Sequence, residues 1–234
     1  MTDTSWPSVR RQVLREAIGV GVAVGTYGLS FGAVAVTAGL SATQALALST
    51  LTFTGASQFA FVGVVGSGGP LVVGVLTALL LGSRNAMYGL RLAPTLSVRG
   101  RRRLLAAQLV LDESTAVAVA QDEERASRLG FWATGLAVFV CWNAATVVGA
   151  VGAEALGDPQ AWGLDAAVGA AFLALLWPRL RDRGALPVAL GSAAVALVST
   201  PLLPPGVPVL LAATLAVVLG WPEPRDAGGP AVTP

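Results

Sequence analysis

Charged side chains are scarce in this sequence. Only 12% of its 234 residues are Asp, Glu, Lys or Arg, about half the share of a soluble domain. Hydrophobic residues make up 54% and lie in long uncharged runs, which excludes a soluble globular chain and reads as an integral membrane protein. Histidine is absent, so a histidine proton relay and an HExxH zinc site are excluded. The one cysteine, Cys141, sits in an apolar run. Intramolecular disulfides and CxxC metal sites are excluded with it, and it has no imidazole base to make it a nucleophile. There is no GxSxG either, which argues against an intramembrane enzyme. No metal and no cofactor are expected. The net charge is +2, with the arginines in short segments between apolar runs, the pattern of topological charge rather than of a nucleic-acid patch.

The apolar runs set the organisation. Residues 1–16, with Arg10, Arg11 and Arg15, read as a cytoplasmic basic tail; the run that follows is too long for a signal-peptide core. A single transmembrane domain is expected over 17–221, then a disordered cytoplasmic tail over 222–234, rich in Pro and Gly. The first span, from Ala17 to Leu40, carries glycines at 19, 21, 25, 28, 32 and 39. Such density permits close helix approach and a break near Gly25–Gly32. Ser41-Ala-Thr-Gln44 is a capping box that starts a new helix. The run 41–66 is interrupted at Thr54-Gly-Ala-Ser-Gln58. Leu71–Pro94 follows, then the basic loop Arg99–Arg103, the run 104–121, a span from Leu129 to Ala153, a short run over 162–178, and two closing runs, 185–203 and 206–221. Trp6, Trp177 and Trp221 read as interfacial anchors, and Glu154 and Asp165 as residues of a membrane-edge loop.

If every run crossed the bilayer, the Arg99–Arg103 loop would fall outside, against the positive-inside rule. Letting 41–66 enter and leave on one side returns it to the cytoplasm, and the same treatment of 162–178 does so for 179–183. The fold class expected is therefore an all-α polytopic membrane protein of about 6–8 helical membrane segments, broken or re-entrant near 41–66 and 162–178. Residues 32–45 and 149–161 echo each other. The echo is either chance in Gly/Ala-rich sequence or the trace of an inverted repeat, with a first copy over 17–95, a linking helix over 104–121 and a second copy over 128–203.

The residues that carry chemistry sit in three places. Arg84 lies inside an apolar run, where a charge costs roughly 2.5–3.5 kcal/mol near the bilayer centre. It stands about 10 Å of helix before Arg91, and Asp112 about 13 Å after Arg103. Antiparallel neighbours joined at that loop would bring Arg84 level with Asp112 and Glu113, as a pair or around one polar cavity. The alternatives are that Arg84 snorkels to the interface and that 104–120 lies in the interface. Gly55-Ala56-Ser57-Gln58-Phe59 suits an unwound turn whose half-helix N-terminus presents N–H groups to a carboxylate; it suits a small-residue packing face equally. Asn85 follows Arg84 directly, and Tyr88 shares its face at i+4, either holding the guanidinium or belonging to an aromatic belt.

As a set these motifs resemble the AzlC family: Phe31-Gly32 after a Gly-rich span, TFTGASQF at 52–59, LLLGSRNAMYGLRLAP at 79–94 and LDES at 111–114. The family commonly has Asn-x-Arg-His before a Tyr-Gly. Arg84, Tyr88 and Gly89 match, whereas Gly82 replaces the Asn and Asn85 the His. The resemblance implies the large subunit of a two-component exporter of branched-chain or related apolar amino acids across the plasma membrane, with a small hydrophobic AzlD-type partner subunit. A zwitterionic substrate needs an anion-binding and a cation-binding group side by side and an apolar pocket. Arg84 or the N–H groups around Gly55–Gln58 would take the carboxylate. Asp112 or Glu113 would take the ammonium or a coupling proton. Phe59, Phe61, Tyr27 and Phe31 would line the side-chain pocket. A non-transporting assembly subunit and a channel for a small zwitterion are the rival readings.

Overall fold

The computed structural model describes residues 5–156, 173, 176, 177, 180, 181, 184–204 and 206–219. The chain is an all-α membrane protein, with no strand among the described residues. It divides into two compact units, residues 1–174 and 175–234.

In the first unit, α1 (Trp6–Gly25) and α2 (Tyr27–Thr37) form one apolar helix of 32 residues. Pro7 opens it, in the first turn, where a missing N–H costs nothing. Arg10, Arg11 and Arg15 are therefore helical, not part of an extended tail. Nor is there a break near Gly25–Gly32: Thr26 keeps right-handed helical angles (φ −58°, ψ −29°). The glycines serve a neighbour instead. Gly21, Gly25, Gly28 and Gly32 recur at helical spacing on one face, and the 32-residue α8 (Glu124–Ala155) lies against them. A Cβ at Gly21 would stand 2.6 Å from the Ala137 Cβ, and one at Gly25 2.5 Å from the Cys141 Cβ. At Gly28 and Gly32 it would run into the Trp142 and Thr146 carbonyl oxygens, and at Gly149 of α8 into that of Leu29. In lipid, where apolar association gives little, such backbone proximity is what joins helices. The paired residues rise together along both helices, so α1–α2 and α8 run parallel.

Two short helix pairs fold back toward the middle of this long pair. Ser41 caps α3 (Ala42–Leu51) with the capping box expected from the sequence. After a break at Thr52–Gly55, where Gly55 takes φ +68°, α4 (Ala56–Gly66) returns. Both ends of the pair meet the same end of the unit. The Ala42 N–H donates to Glu154 Oε1 at 2.7 Å, and a Cβ on Gly66 would lie 2.8 Å from that of Ala38. This is the re-entrant course expected for 41–66. Next, α5 (Leu71–Leu96) runs back antiparallel to α4, with Phe61 against Gly74 and Ser57 facing Gly82.

The second pair was not foreseen. The run 104–121 is not one linking helix but α6 (Arg101–Gln108) and α7 (Asp112–Val119), broken at Leu109–Leu111. Helix α7 lies antiparallel along α8, with Leu109 against Gly135 and Val117 against Gly130. Ala106, Ala118, Leu92, Leu96 and Phe131 share one buried cluster, so α6 starts and α7 ends near the end of α5. Trp6 lies under the Arg125 guanidinium, 3.9 Å away, and Arg128 Nε donates to Thr95 O at 2.7 Å. One end of the unit thus gathers the start of α1, the end of α5 and the start of α8, with the arginines of all three. The loop 121–128 belongs to that end as well, opposite to where a crossing 104–120 would have put it. For the same reason 32–45 and 149 onward leave from one end of the unit rather than from opposite ends. The rest of the echo, the segment 162–178 in the main, Asp165, Trp221 and the tail 222–234 lie outside the described residues.

In the second unit α9 (Ala185–Ser199) packs on α10 (Val207–Leu219). Leucines and valines are exposed along α5, α8 and α9, the surface a bilayer core requires.

Candidate functional site

The two hairpin breaks meet halfway along the unit, and each is locked by its own side chains. Gln58, 1% exposed, donates from Nε2 to Leu48 O (3.0 Å) and accepts the Gly55 N–H at Oε1 (3.2 Å). Thr54 and Ser57 share a hydroxyl hydrogen bond. On the other hairpin, Ser114 Oγ accepts the Leu111 N–H (3.0 Å) and donates to Leu109 O (2.6 Å). Gln108 ties the hairpins together, its Nε2 donating to Thr50 O at 2.7 Å. Its role was missed; the signal was an amide in an apolar run, which must find a partner. Both returning helices, α4 and α7, therefore begin at mid-depth. Their first N–H groups have no helix carbonyl ahead of them, and the positive dipole ends lie there.

Arg84 stands at the middle of α5, about 20 Å of helix from either end. Its Nη2 is 2.8 Å from Asp112 Oδ2, the two side chains 45% and 41% exposed. Asp112 and Glu113 occupy the first turn of α7, where a carboxylate gains roughly 0.3–1 kcal/mol from the helix dipole. The equal depth of Arg84 and Asp112 inferred from the sequence is thus realised in contact. An ion pair so exposed adds little stability in water, about 0–1 kcal/mol, and one facing lipid would be costly.

The remaining expected residues divide. Gly55, Ala56 and Ser57 form the cap and first turn of α4, and Ser57 faces α5 at Gly82, two residues and about half a turn before Arg84. Gln58 is spent on holding its hairpin. Asn85 adjoins Arg84, with its Oδ1 buried and unbonded. Tyr88 packs against the cluster of Leu92, Leu96 and Phe131. The aromatic pocket expected from Phe31, Phe59 and Tyr27 is not open. Phe31 is 0% and Phe59 1% exposed, their rings 5.4 Å apart edge to face and both packed on Trp142. They form the core that braces α2, α4 and α8, with Tyr27 against its side. Side chains on a glycine-rich helix turn toward its closest neighbour, here α8, and not toward a cavity. Only Phe61 of that set lines a cleft, of about 470 Å³, together with Leu40, Leu48, Leu51, Val65 and Leu71.

A family model described as AzlC protein matches residues 19–156. The chain belongs to the AzlC family. The match spans α1 from Gly19 through α8 and so contains both hairpins and the Arg84–Asp112 pair; α9 and α10 lie beyond it. Membership in the AzlC family brings a transport-related function at a membrane. Comparison with curated proteins finds no match, and comparison with solved structures finds none.

Proposed function

We propose that this chain is the large subunit of a secondary transporter that exports branched-chain or related apolar amino acids across the plasma membrane, with a small hydrophobic AzlD-type subunit as its partner. The observation that carries this reading is the half-exposed Arg84–Asp112 pair at mid-depth, level with the start of α4. Opposite charges a few ångström apart match the two ends of a zwitterion. Arg84, with the Ala56 and Ser57 N–H groups, takes the carboxylate. Asp112 takes the ammonium group. The cleft at Phe61, Leu48 and Leu51 takes the apolar side chain. In the empty site the two charges satisfy each other, so neither is left bare.

The architecture supports alternation between two faces. The span of α1–α2 followed by the hairpin α3–α4, and the span of α5 followed by α6–α7, run in opposite directions. We read them as an inverted pair, with broken helices meeting at the midplane as secondary transporters use them. The arginine-bearing end, with Arg10, Arg11, Arg99, Arg101, Arg102, Arg103, Arg125 and Arg128, is the cytoplasmic one by the positive-inside rule, which puts the N-terminus inside. The exposed apolar face of α5, including Leu71, Val72, Val75 and Leu79, faces lipid or the small subunit.

The test is leucine counterflow in proteoliposomes made with the full chain, alone and with the AzlD-type subunit. Saturable uptake of labelled leucine, competed by isoleucine and valine and not by aspartate, is expected. No uptake in either preparation identifies an assembly subunit, and non-saturating uptake a channel.

A further inference from the structure

Two carboxylates share one guanidinium at the start of α7. Arg84 is matched by Asp112; the ion pairs among the described residues are this one and Arg128–Glu124. Among the described residues Glu113 makes no ion pair of its own. The charges acting on it are Asp112 on its own helix and Arg84 on α5. The helices packed on α7 carry their other charges toward their ends: Arg10, Arg11, Arg15 and Glu16 on α1, Arg91 on α5, and Glu124, Arg125, Arg128 and Glu154 on α8; Arg101, Arg102 and Arg103 open α6. An unmatched carboxylate at mid-depth costs several kcal/mol as an anion. A proton removes that cost.

Polar groups lie between Glu113 and the arginine-bearing end. The contacts of Val117 with Gly130 and of Leu109 with Gly135 bracket a seam between α7 and α8. The hydroxyls of Thr115 on α7 (8% exposed) and Thr134 on α8 (0%) are both buried and without a hydrogen-bond partner. A buried hydroxyl left unsatisfied costs about 1–3 kcal/mol, and a bridging water is the usual remedy. At the end of α7 lies a polar cavity of about 360 Å³ lined by Arg91, Thr95, Gln121, Asp122, Glu124 and Ser127. From Glu113 to its wall at Ala118 is about 7.5 Å of helix, with Thr115 between.

We propose that Glu113 is the proton-binding group of this transporter, reached from the arginine-bearing end through the Asp122 cavity and the hydroxyls of Thr115 and Thr134. This rests on the transport reading above. Deprotonated Glu113 leaves the cluster of Arg84, Asp112 and Glu113 with one surplus negative charge, which holds the substrate ammonium. The proton it binds makes the cluster neutral and releases that hold. Proton and amino acid therefore compete for one site, and amino acid leaves as a proton enters.

The experiment uses the full chain in liposomes loaded with leucine and a pH-sensitive dye, together with infrared difference spectra of the purified protein. In the wild type, leucine efflux acidifies the lumen, and leucine affinity falls with pH by about tenfold per unit once the site begins to protonate, as for one titrating group. Glu113→Gln, neutral at every pH, binds leucine with the weak affinity of the protonated wild type, shows no pH dependence and moves no protons. Glu113→Asp restores both, at a shifted midpoint. Thr134→Val slows the lumenal pH change. PH dependence or proton movement retained in Glu113→Gln overturns the proposal. The infrared spectra separate the two readings. If a protonated-carboxyl band missing from Glu113→Gln titrates in a wild type that carries no leucine, the transport reading fails and the proton site stands. If leucine moves and no such band titrates, the proton site fails alone.

Discussion

Arg84→Ala abolishes leucine counterflow, lowering it by about two to three orders of magnitude, or roughly 3–4 kcal/mol of lost substrate binding at about 1.4 kcal/mol per factor of ten. The residue makes two contributions. It binds the substrate carboxylate, and in the empty site it balances Asp112 at 2.8 Å. Truncation therefore leaves a carboxylate unmatched at mid-depth beside a second one at Glu113. Asp112→Asn has a comparable effect on counterflow for a different reason: the guanidinium keeps its place, while the ammonium site loses its charge. The two variants are told apart by substrate. Arg84→Ala loses affinity for all amino acids with a free carboxylate, whereas Asp112→Asn tolerates analogues that lack the amine. Arg84→Lys does not rescue, because an ammonium cannot reproduce the planar, two-pronged contact of guanidinium with carboxylate. Protein that reaches the membrane in normal amount yet exports at the wild-type rate with either change removes the pair from the site.

The second large effect concerns the fold. Gly32→Leu, or Gly149→Leu, destabilises the first unit by at least about 3 kcal/mol, the upper range for overpacking a close contact. At both positions the added Cβ would collide with a backbone carbonyl of the facing helix, that of Thr146 or Leu29. No rotamer relieves a clash with backbone, so the helices must separate. The core of Phe31, Phe59 and Trp142 opens with them, and both hairpins lose their brace. The controls are Gly19→Ala and Gly152→Ala, where a Cβ meets nothing within 4 Å; alanine there stabilises by roughly 0.5–1 kcal/mol through helix propensity. Thermal unfolding in detergent reads both. For a chain of this size 3 kcal/mol corresponds to a fall in Tm of about 6–12 °C.

Parts of this architecture are legible in the residues alone. The Ser41–Gln44 capping box announces α3, and the small residues Gly55-Ala-Ser before Gln58 announce the break before α4. The positive-inside rule then requires 41–66 to turn back. The pairing of Arg84 with Asp112 follows from counting residues outward from a shared basic loop. The break between α6 and α7 is hidden because Leu109-Val-Leu111 contains neither Gly nor Pro. Its trace is the acidic first turn of Asp112 and Glu113 with Ser114 behind it, a helix-start signal set in a run that otherwise reads as one helix. Missing that break reverses α8. Once 104–120 is taken to cross, α8 comes out antiparallel to α1 when it is parallel. The aromatic residues fail for another reason. Sequence gives the residue type of Phe31 and Phe59 but not which face of a glycine-rich helix meets its neighbour.

The most direct measurement of the central claim is substrate protection of cysteines placed on either side of the ion pair. Ala56→Cys at the start of α4 and Asn85→Cys beside Arg84, each in a Cys141→Ala background, are labelled with a small thiol reagent in the presence and absence of leucine. Leu136→Cys, on the outer face of α8, is the control. Leucine is expected to slow labelling at both site positions and to leave the control unchanged. Equal rates with and without leucine at positions 56 and 85, in protein that transports leucine, would contradict the account.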